Sequence, residues 1–357
     1  MILVVFGHAL ACIGCGGYNS VLSSTILTFR MPIFFFISGF FAYRLCERWS
    51  RALVCDVMKR KIQAQIFCTI IFFALFQICR GGDVIEWVYK GFGGYWFTIV
   101  LFQIFVVFLA LSLISKLFKC ERILEVLMIV ISLVGIVALA KFRGSGALWT
   151  VLCGENFCKY FQFFTLGIFC RKKYQTLFID LIAKNWFKVA ITICYVACLV
   201  LYFNDAFRNG NALLYGVVHD LVIRYAGLFI VVSFFFTKRE FFGGNGNGGQ
   251  LLQYVGRRTL DIYVLHYFFL PDTSFLAKWL APDGILAAGR DAVSGIPIHG
   301  NILVLQLVVA LAISAVVVAI CCLLNEIFRS SPTLATWLFG VKHKAPRPPR
   351  GFPRVGG

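Results

Sequence analysis

The chain has 357 residues, of which 60% are hydrophobic, 17% aromatic and only 14% charged. A soluble domain is closer to half apolar and a quarter charged, so this composition excludes an ordinary soluble protein and requires lipid as the solvent for much of the surface. The formal net charge of +18 would suggest nucleic acid in a soluble protein. We expect no nucleic-acid partner here, because the positive charge collects on alternate connections between apolar segments.

Ten apolar segments follow one another along the chain. Each is expected to be a helix, because backbone polar groups in lipid must form hydrogen bonds within their own segment. The prediction is therefore an all-α polytopic membrane protein, a bundle of about ten transmembrane helices. Residues 1–325 would form one membrane domain, and residues 326–357 a basic, proline-rich, disordered tail on the inner side. The ten segments are roughly 1–13, 27–45, 63–78, 95–114, 123–140, 156–170, 187–203, 213–236, 259–280 and 301–324.

The distribution of lysine and arginine predicts the orientation. If the N-terminus is inside, the inner connections together with the flanking residue Lys188 hold 23 of the 34 basic residues, and the outer connections together with the flanking residue Lys159 hold seven. Inner loops of membrane proteins carry this excess of positive charge. We therefore expect both termini on the inner side.

The first segment is short for a membrane span. It begins at residue 1 with about 13 apolar residues, whereas a span needs ~20. We expect either a start site that lies further upstream or a shortened chain.

Two of the 14 cysteines lie close together on the predicted outer side. Cys153 and Cys158 could form a disulfide, and the alternative is two buried thiols. Many of the other cysteines lie within apolar segments, where thiols behave as small hydrophobic groups.

Ionisable residues within membrane segments are costly and are therefore candidates for function. His8 lies in the first segment, about 8 Å below its outer end at the rise of an α-helix. Arg30 falls at the same depth in the first turn of the second segment, where Pro32 also fits because the missing N–H costs least there. The alternatives are a hydrogen-bonded structural histidine and an arginine that extends to the outer headgroups. Ser38 and Gly39 would permit close helix packing.

Three further groups of residues have polar side chains inside predicted helices. Tyr263 and His266 are three residues apart and share one helix face. Asp220 and Arg224 are four residues apart and can form an ion pair beside His219. Trp96 falls near the outer end of its helix, where it could also belong to an aromatic belt.

Five stretches of the sequence belong together: GHAL in the first helix, RMPIFFFISGFF in the second, and further along the chain GGYWFTIVLFQ at 93–103, YFQFFTLGIFCRKK at 160–173 and RRTLDIYVLHYFFL at 257–270. In order and spacing they resemble acyltransferase family 3, the integral-membrane acyltransferases that modify bacterial surface glycans and related acceptors. The resemblance covers essentially residues 1–325.

The resemblance implies an O-acyltransferase that moves an acyl group, most simply acetyl, from acyl-CoA to a hydroxyl of a glycan or glycolipid. It identifies His8 as the essential histidine of the family, which would act as general base. Arg30 would stabilise the developing oxyanion or bind an acceptor anion. Family members also carry an arginine upstream of this histidine, at a position before the first residue of this sequence.

Further expectations concern the substrates and the location. The acceptor, a glycan or lipid-linked saccharide, is expected to contact Trp96, Tyr263, His266 and Ser38. Acetyl-CoA would be the donor substrate, with no bound cofactor or metal, and the bacterial inner membrane with its lipids the location. The basic pairs on the inner side are candidates for binding the donor phosphates, although the orientation rule alone explains them: Arg60 and Lys61, Arg171 and Lys172, Arg257 and Arg258.

Two other functions are compatible with ten helices and buried ionisable groups. One is a secondary transporter or lipid-linked glycan flippase. Such proteins often consist of two similar halves with interrupted helices at matching positions, and this sequence shows no such repeat, which disfavours that function. The other is a non-catalytic scaffold. Only an enzyme would consume acyl-CoA.

Overall fold

The computed structural model describes residues 1–13, 21–46, 51–83, 85, 91–142, 146–210, 212–244, 246–271 and 300–339. Within these ranges every regular element is a helix and no strand occurs. The all-α prediction is therefore confirmed. The α-helices, numbered α1 to α18, are Ile2–Cys12, Val21–Cys46, Arg51–Lys61, Cys68–Cys79, Trp96–Leu117, Glu121–Phe142, Ala147–Val151, Gly154–Lys172, Gln175–Ala183, Asn185–Tyr202, Asp205–Gly210, Ala212–Val217, Ile223–Thr237, Arg239–Gly243, Asn247–Arg257, Thr259–Phe269, Gly300–Ser330 and Pro332–Phe339.

Seven helices in the described ranges are long and apolar enough to cross a membrane. These helices make the chain a polytopic membrane protein, as predicted. Every one of the ten predicted segments coincides with a helix over its described residues; the three outside the seven are α1, α8 and α16. The seven spans are Ser24–Tyr43, Ala52–Cys79, Gly93–Leu117, Glu121–Leu139, Asn185–Tyr202, Leu214–Thr237 and Leu307–Ser330.

The most extensive helix contact joins α2 to α8. A Cβ atom on Gly39 would overlap the carbonyl oxygen of Phe164, and a Cβ atom on Gly167 would overlap that of Phe36. Small residues let helix backbones approach closely in membranes, so the predicted packing role of Gly39 is confirmed. Helix α8 lies at the centre of the bundle because it also packs on α5 and α6.

Helix α2 begins at Val21, six residues before the predicted start. Arg30 and Pro32 therefore lie in the helix interior, and the prediction that they occupy its first turn is wrong. The reason is that the serines and threonines upstream are compatible with a buried helix. Ser24, for example, is buried, and the carbonyl oxygen of Thr25 accepts a hydrogen bond from the Tyr195 hydroxyl at 3.3 Å.

Two membrane spans contain a π-helical turn. Residues Ile62–Phe67 join α3 to α4, and residues Val218–Val222 join α12 to α13. π-Helical turns often occur at functional sites. The second turn carries His219 and Asp220.

The prediction that the tail is disordered from residue 326 is wrong for its first part. Helix α17 continues to Ser330, and α18 follows over Pro332–Phe339; residues 340–357 lie outside the described ranges. The polar end of α17 is stabilised by partners on α16 and just before it. Asp261 accepts hydrogen bonds from Asn325 at 2.5 Å and from Arg329 at 2.6 Å, and Arg258 pairs with Glu326.

Candidate active site

His8 lies on the buried face of α1 and contacts α16. Its side chain is 7% exposed, and its Nε2 atom lies 3.1 Å from the hydroxyl oxygen of Tyr267. The two rings meet edge to face with centroids 5.0 Å apart. His8 is predictable from the sequence as an ionisable residue in a membrane segment, whereas Tyr267, which stands next to His266, is not.

The carbonyl oxygen of Gly94 connects two tyrosines of α16. Tyr263 donates a hydrogen bond to it at 2.6 Å, and Tyr267 donates another at 2.8 Å. A carbonyl oxygen only accepts, and each phenol has one proton. The Tyr267 oxygen must therefore accept from His8, which assigns the proton of the neutral imidazole to Nε2. In the same way, the Tyr263 oxygen accepts the backbone N–H of Phe97 at 3.1 Å.

The short 3-10 turn Gly93–Tyr95 holds this carbonyl in place just before α5. A Cβ atom on Gly94 would overlap the phenol of Tyr267, so only glycine permits the contact. Tyr95 donates a hydrogen bond to the carbonyl oxygen of Val264 at 3.1 Å, which fixes the turn to α16 a second time. The turn is the GGYW part of the stretch 93–103, which supports the family resemblance but by itself indicates no functional role.

His266 lies beside His8, a contact that the sequence motif around His266 does not predict. The ring centroids are 5.2 Å apart, and the His266 side chain is 0% exposed. Its Nδ1 atom lies 3.1 Å from the carbonyl oxygen of Ile262. Tyr263 also belongs to this layer, with its ring 5.9 Å from that of His266.

Arg30 packs against α1 next to His8. Its side chain is 6% exposed, and its Nη1 atom donates to the carbonyl oxygen of Val4 at 3.4 Å. A Cβ atom on Gly7 would overlap the guanidinium. The alternative that Arg30 extends to the outer headgroups is therefore wrong. Its charge interacts electrostatically with both His8 and His266.

Trp96 is half-buried at the start of α5 and packs on aromatic rings of α2 and α8. It stacks on Tyr160 with centroids 5.4 Å apart, and Tyr160 stacks on Phe35 at 5.0 Å. Arg224 donates a hydrogen bond to the Tyr160 hydroxyl at 3.3 Å. Ser38, by contrast, is eight residues beyond Arg30 on α2, which places it about 12 Å further along the helix axis.

The predicted ion pair between Asp220 and Arg224 is present. The Oδ1 atom of Asp220 lies 3.6 Å from Arg224 Nη2, 3.8 Å from Lys159 Nζ and 2.8 Å from His219 Nδ1. The His219 ring stacks on Tyr202 with centroids 5.2 Å apart. Arg224 connects this cluster to Trp96 through Tyr160.

Several of the basic residues proposed for donor binding have partners within the chain. Lys172 forms ion pairs with Glu121 at 2.9 Å and Glu125 at 3.2 Å, and Arg258 pairs with Glu326. These contacts give both residues a structural role between helices.

The remaining four basic residues make weaker or more exposed contacts. Arg60 pairs with Asp56 at 2.8 Å on a partly exposed surface, and the Lys61 ammonium lies 4.1 Å from the centroid of a phenylalanine ring. Arg171 donates to a glutamine side chain at 2.9 Å, and Arg257 is exposed. Donor binding stays a prediction for all six.

Cys153 and Cys158 are both free and buried. The disulfide alternative is therefore not supported, and the two residues are buried thiols. Within the described ranges no three histidine, cysteine, aspartate or glutamate side chains come together as a metal site.

The family comparison agrees with the motifs and with this geometry. The model of the acyltransferase domain of family 3 matches residues 1–326, which is nearly the whole chain. No curated protein matches the chain, and no solved structure matches it. The family match favours an enzyme over a transporter, a flippase or a scaffold. The chain therefore belongs to acyltransferase family 3 and is a multi-pass membrane acyltransferase.

Proposed function

We propose that the protein transfers an acyl group, most simply acetyl, from acyl-CoA to a hydroxyl of a glycan or a lipid-linked saccharide. The observation that carries this proposal is the hydrogen-bond chain from His8 through Tyr267 to Gly94, with Arg30 beside it. These groups supply a base, a fixed orientation for it and a cation. A transferase that deprotonates a hydroxyl needs all three.

In the proposed reaction, His8 acts as general base. Nε2 of His8 donates to Tyr267, so Nδ1 carries the lone pair and takes the proton of the acceptor hydroxyl. The hydroxyl oxygen then forms a bond to the thioester carbonyl carbon. The carbon–sulfur bond breaks, and the CoA thiolate leaves and recovers the proton from His8.

Two neighbours support this role for His8. The Tyr267 hydroxyl selects one tautomer and holds the ring, which is how catalytic histidines are usually oriented. The Arg30 guanidinium would stabilise the negative charge that develops on the thioester oxygen. Charge stabilisation is strong here because both side chains are buried away from water.

The proposed location is the bacterial inner membrane, with both termini on the cytoplasmic side. The acetyl-CoA donor would approach from that side, where the six basic residues are candidates for binding its phosphates. Trp96, Tyr263, His266 and Ser38 remain proposed acceptor contacts, although Ser38 lies well away from His8. The thioester end of acetyl-CoA would have to reach from the inner surface to His8, because the proposed reaction takes place on the thioester.

The test replaces His8 with glutamine and with alanine. We expect transfer of radiolabelled acetyl from acetyl-CoA to fall by about 10²-fold or more, the usual contribution of a positioned general base. Glutamine keeps some hydrogen bonding but takes up no proton, so it is the stricter variant. His219→Gln is the matched control, since the Nδ1 atom of His219 lies 2.8 Å from Oδ1 of Asp220, outside the hydrogen-bond chain from His8 to Gly94.

All variants are compared at equal amounts of folded protein in the membrane, because poor insertion would mimic lost catalysis. If His8→Gln keeps near-normal rates, His8 is not the base. If the wild-type protein releases no CoA, the acyltransferase proposal itself fails.

A further inference from the structure

One ring nitrogen of His266 has a fixed hydrogen bond, and the other has no hydrogen-bond partner among the described residues. Its Nδ1 atom lies 3.1 Å from the carbonyl oxygen of Ile262. Because a carbonyl oxygen only accepts, Nδ1 carries a proton. In the neutral ring, Nε2 is therefore the atom with the lone pair.

The lone pair on Nε2 is buried. This atom has no hydrogen-bond partner among the residues that the structure describes, and the whole side chain is 0% exposed. Buried polar atoms in proteins are nearly always hydrogen-bonded, and an exception needs an explanation. A bound molecule that donates a hydrogen bond would supply one.

The position of His266 indicates which kind of molecule this is. Its ring lies 5.2 Å from the ring of His8 and 5.9 Å from that of Tyr263. A group that binds Nε2 therefore lies within reach of the proposed base. The lone pair accepts only from an O–H or N–H donor, and the reacting thioester carbonyl has neither.

We propose that Nε2 of His266 accepts a hydrogen bond from a hydroxyl of the acceptor and so holds the acceptor beside His8. This inference rests on the proposed function and makes His266 a determinant of acceptor binding. An acceptor with several neighbouring hydroxyls, as saccharides have, places one hydroxyl on His266 and another at His8. His266 binds the acceptor and exchanges no proton with it.

The experiment compares His266→Gln with His266→Asn. The glutamine amide reaches the position of Nε2 and can accept a hydrogen bond there, but it cannot act as a base. The shorter asparagine amide reaches only the position of Nδ1. Both variants retain a polar side chain in the same buried place, so they form a matched pair.

Each variant is reconstituted in proteoliposomes with radiolabelled acetyl-CoA and the glycolipid extract of the producing bacterium as acceptor. The extract and acetyl-CoA are varied separately. We expect His266→Asn to raise the KM for the extract about five- to tenfold, the effect of one neutral hydrogen bond. The KM for acetyl-CoA should not change, and His266→Gln should raise the KM for the extract less than His266→Asn does.

Every other outcome overturns the inference. A raised KM for acetyl-CoA would assign Nε2 to an amide N–H of the donor. Loss of kcat in both variants, with the KM values unchanged, would make His266 a proton carrier. A loss that follows only the amount of folded protein would make it a packing residue. If the wild-type protein transfers no acetyl group, the proposed function is wrong, and the assignment of an acceptor hydroxyl to His266 is wrong with it.

Discussion

Replacement of Tyr267 by phenylalanine removes one oxygen atom from the centre of the candidate site. That oxygen accepts from His8 Nε2 at 3.1 Å and donates to the Gly94 carbonyl at 2.8 Å. In Tyr267→Phe the Gly94 carbonyl keeps its second donor, Tyr263, at 2.6 Å. The main loss is therefore the acceptor for the N–H of His8, which selects the tautomer of that ring.

The size of the effect follows from this loss. A buried donor without a partner costs about 1–3 kcal/mol. If that energy holds His8 in its reactive tautomer and orientation, its loss lowers kcat by about 5- to 150-fold, at about 1.4 kcal/mol for each factor of ten. The free energy of unfolding should fall by a similar amount.

Tyr263→Phe is the matched control for this change. Tyr263 lies one turn away on the same helix, donates to the same carbonyl and accepts the N–H of Phe97 at 3.1 Å. Its removal also leaves one buried N–H without an acceptor but does not touch His8. We expect a similar loss of thermal stability in the two variants and a larger loss of kcat in Tyr267→Phe.

The two variants are measured by CoA release in proteoliposomes and by thermal unfolding in detergent. If both lose kcat to the same extent, Tyr267 acts through packing rather than through His8. If Tyr267→Phe keeps full activity, the tautomer of His8 assigned from the hydrogen-bond chain is irrelevant to the reaction.

Two further predictions concern the fold and the orientation. Gly39→Ala should lower the free energy of unfolding by about 1–3 kcal/mol, because a Cβ atom there overlaps the backbone of α8. In the control variant Gly256→Ala, the added Cβ atom meets no neighbouring atom, so the change should be neutral or slightly stabilising. Equal losses in the two variants would contradict the close α2–α8 packing. In a cysteine-free background, Val84→Cys should react with an impermeant thiol reagent from outside the cell, and Arg60→Cys and Lys172→Cys should not; the reverse pattern would overturn the assignment of the termini to the inner side.

The sequence by itself determined the class of fold. Apolar segments separated by charged connections must become helices in lipid, because no other arrangement within a single segment satisfies the backbone. The same reasoning selected His8 and Arg30, because an ionisable residue in such a segment is rare enough to suggest function. These inferences use only local information, which a sequence contains.

The ends of the elements depended on packing partners that hydropathy does not reveal. Hydropathy predicts that the last apolar segment ends at residue 324. Helix α17 nevertheless continues to Ser330, because Asn325 and Arg329 form hydrogen bonds to Asp261 on α16. Residues 21–26 were predicted as a connection, yet Ser24 is buried and the Thr25 carbonyl oxygen accepts a hydrogen bond from the Tyr195 hydroxyl. A polar residue can be buried in a helix when another helix supplies its partner.

Only the tertiary structure decided how the candidate site is assembled. Tyr267 is separated along the chain by 259 residues from His8 and by 173 residues from Gly94. No periodicity or spacing in the sequence relates positions so far apart. The tautomer of His8, the unsatisfied nitrogen of His266 and the burial of Arg30 against Gly7 are consequences of helix packing, since each depends on atoms that only the folded bundle brings together.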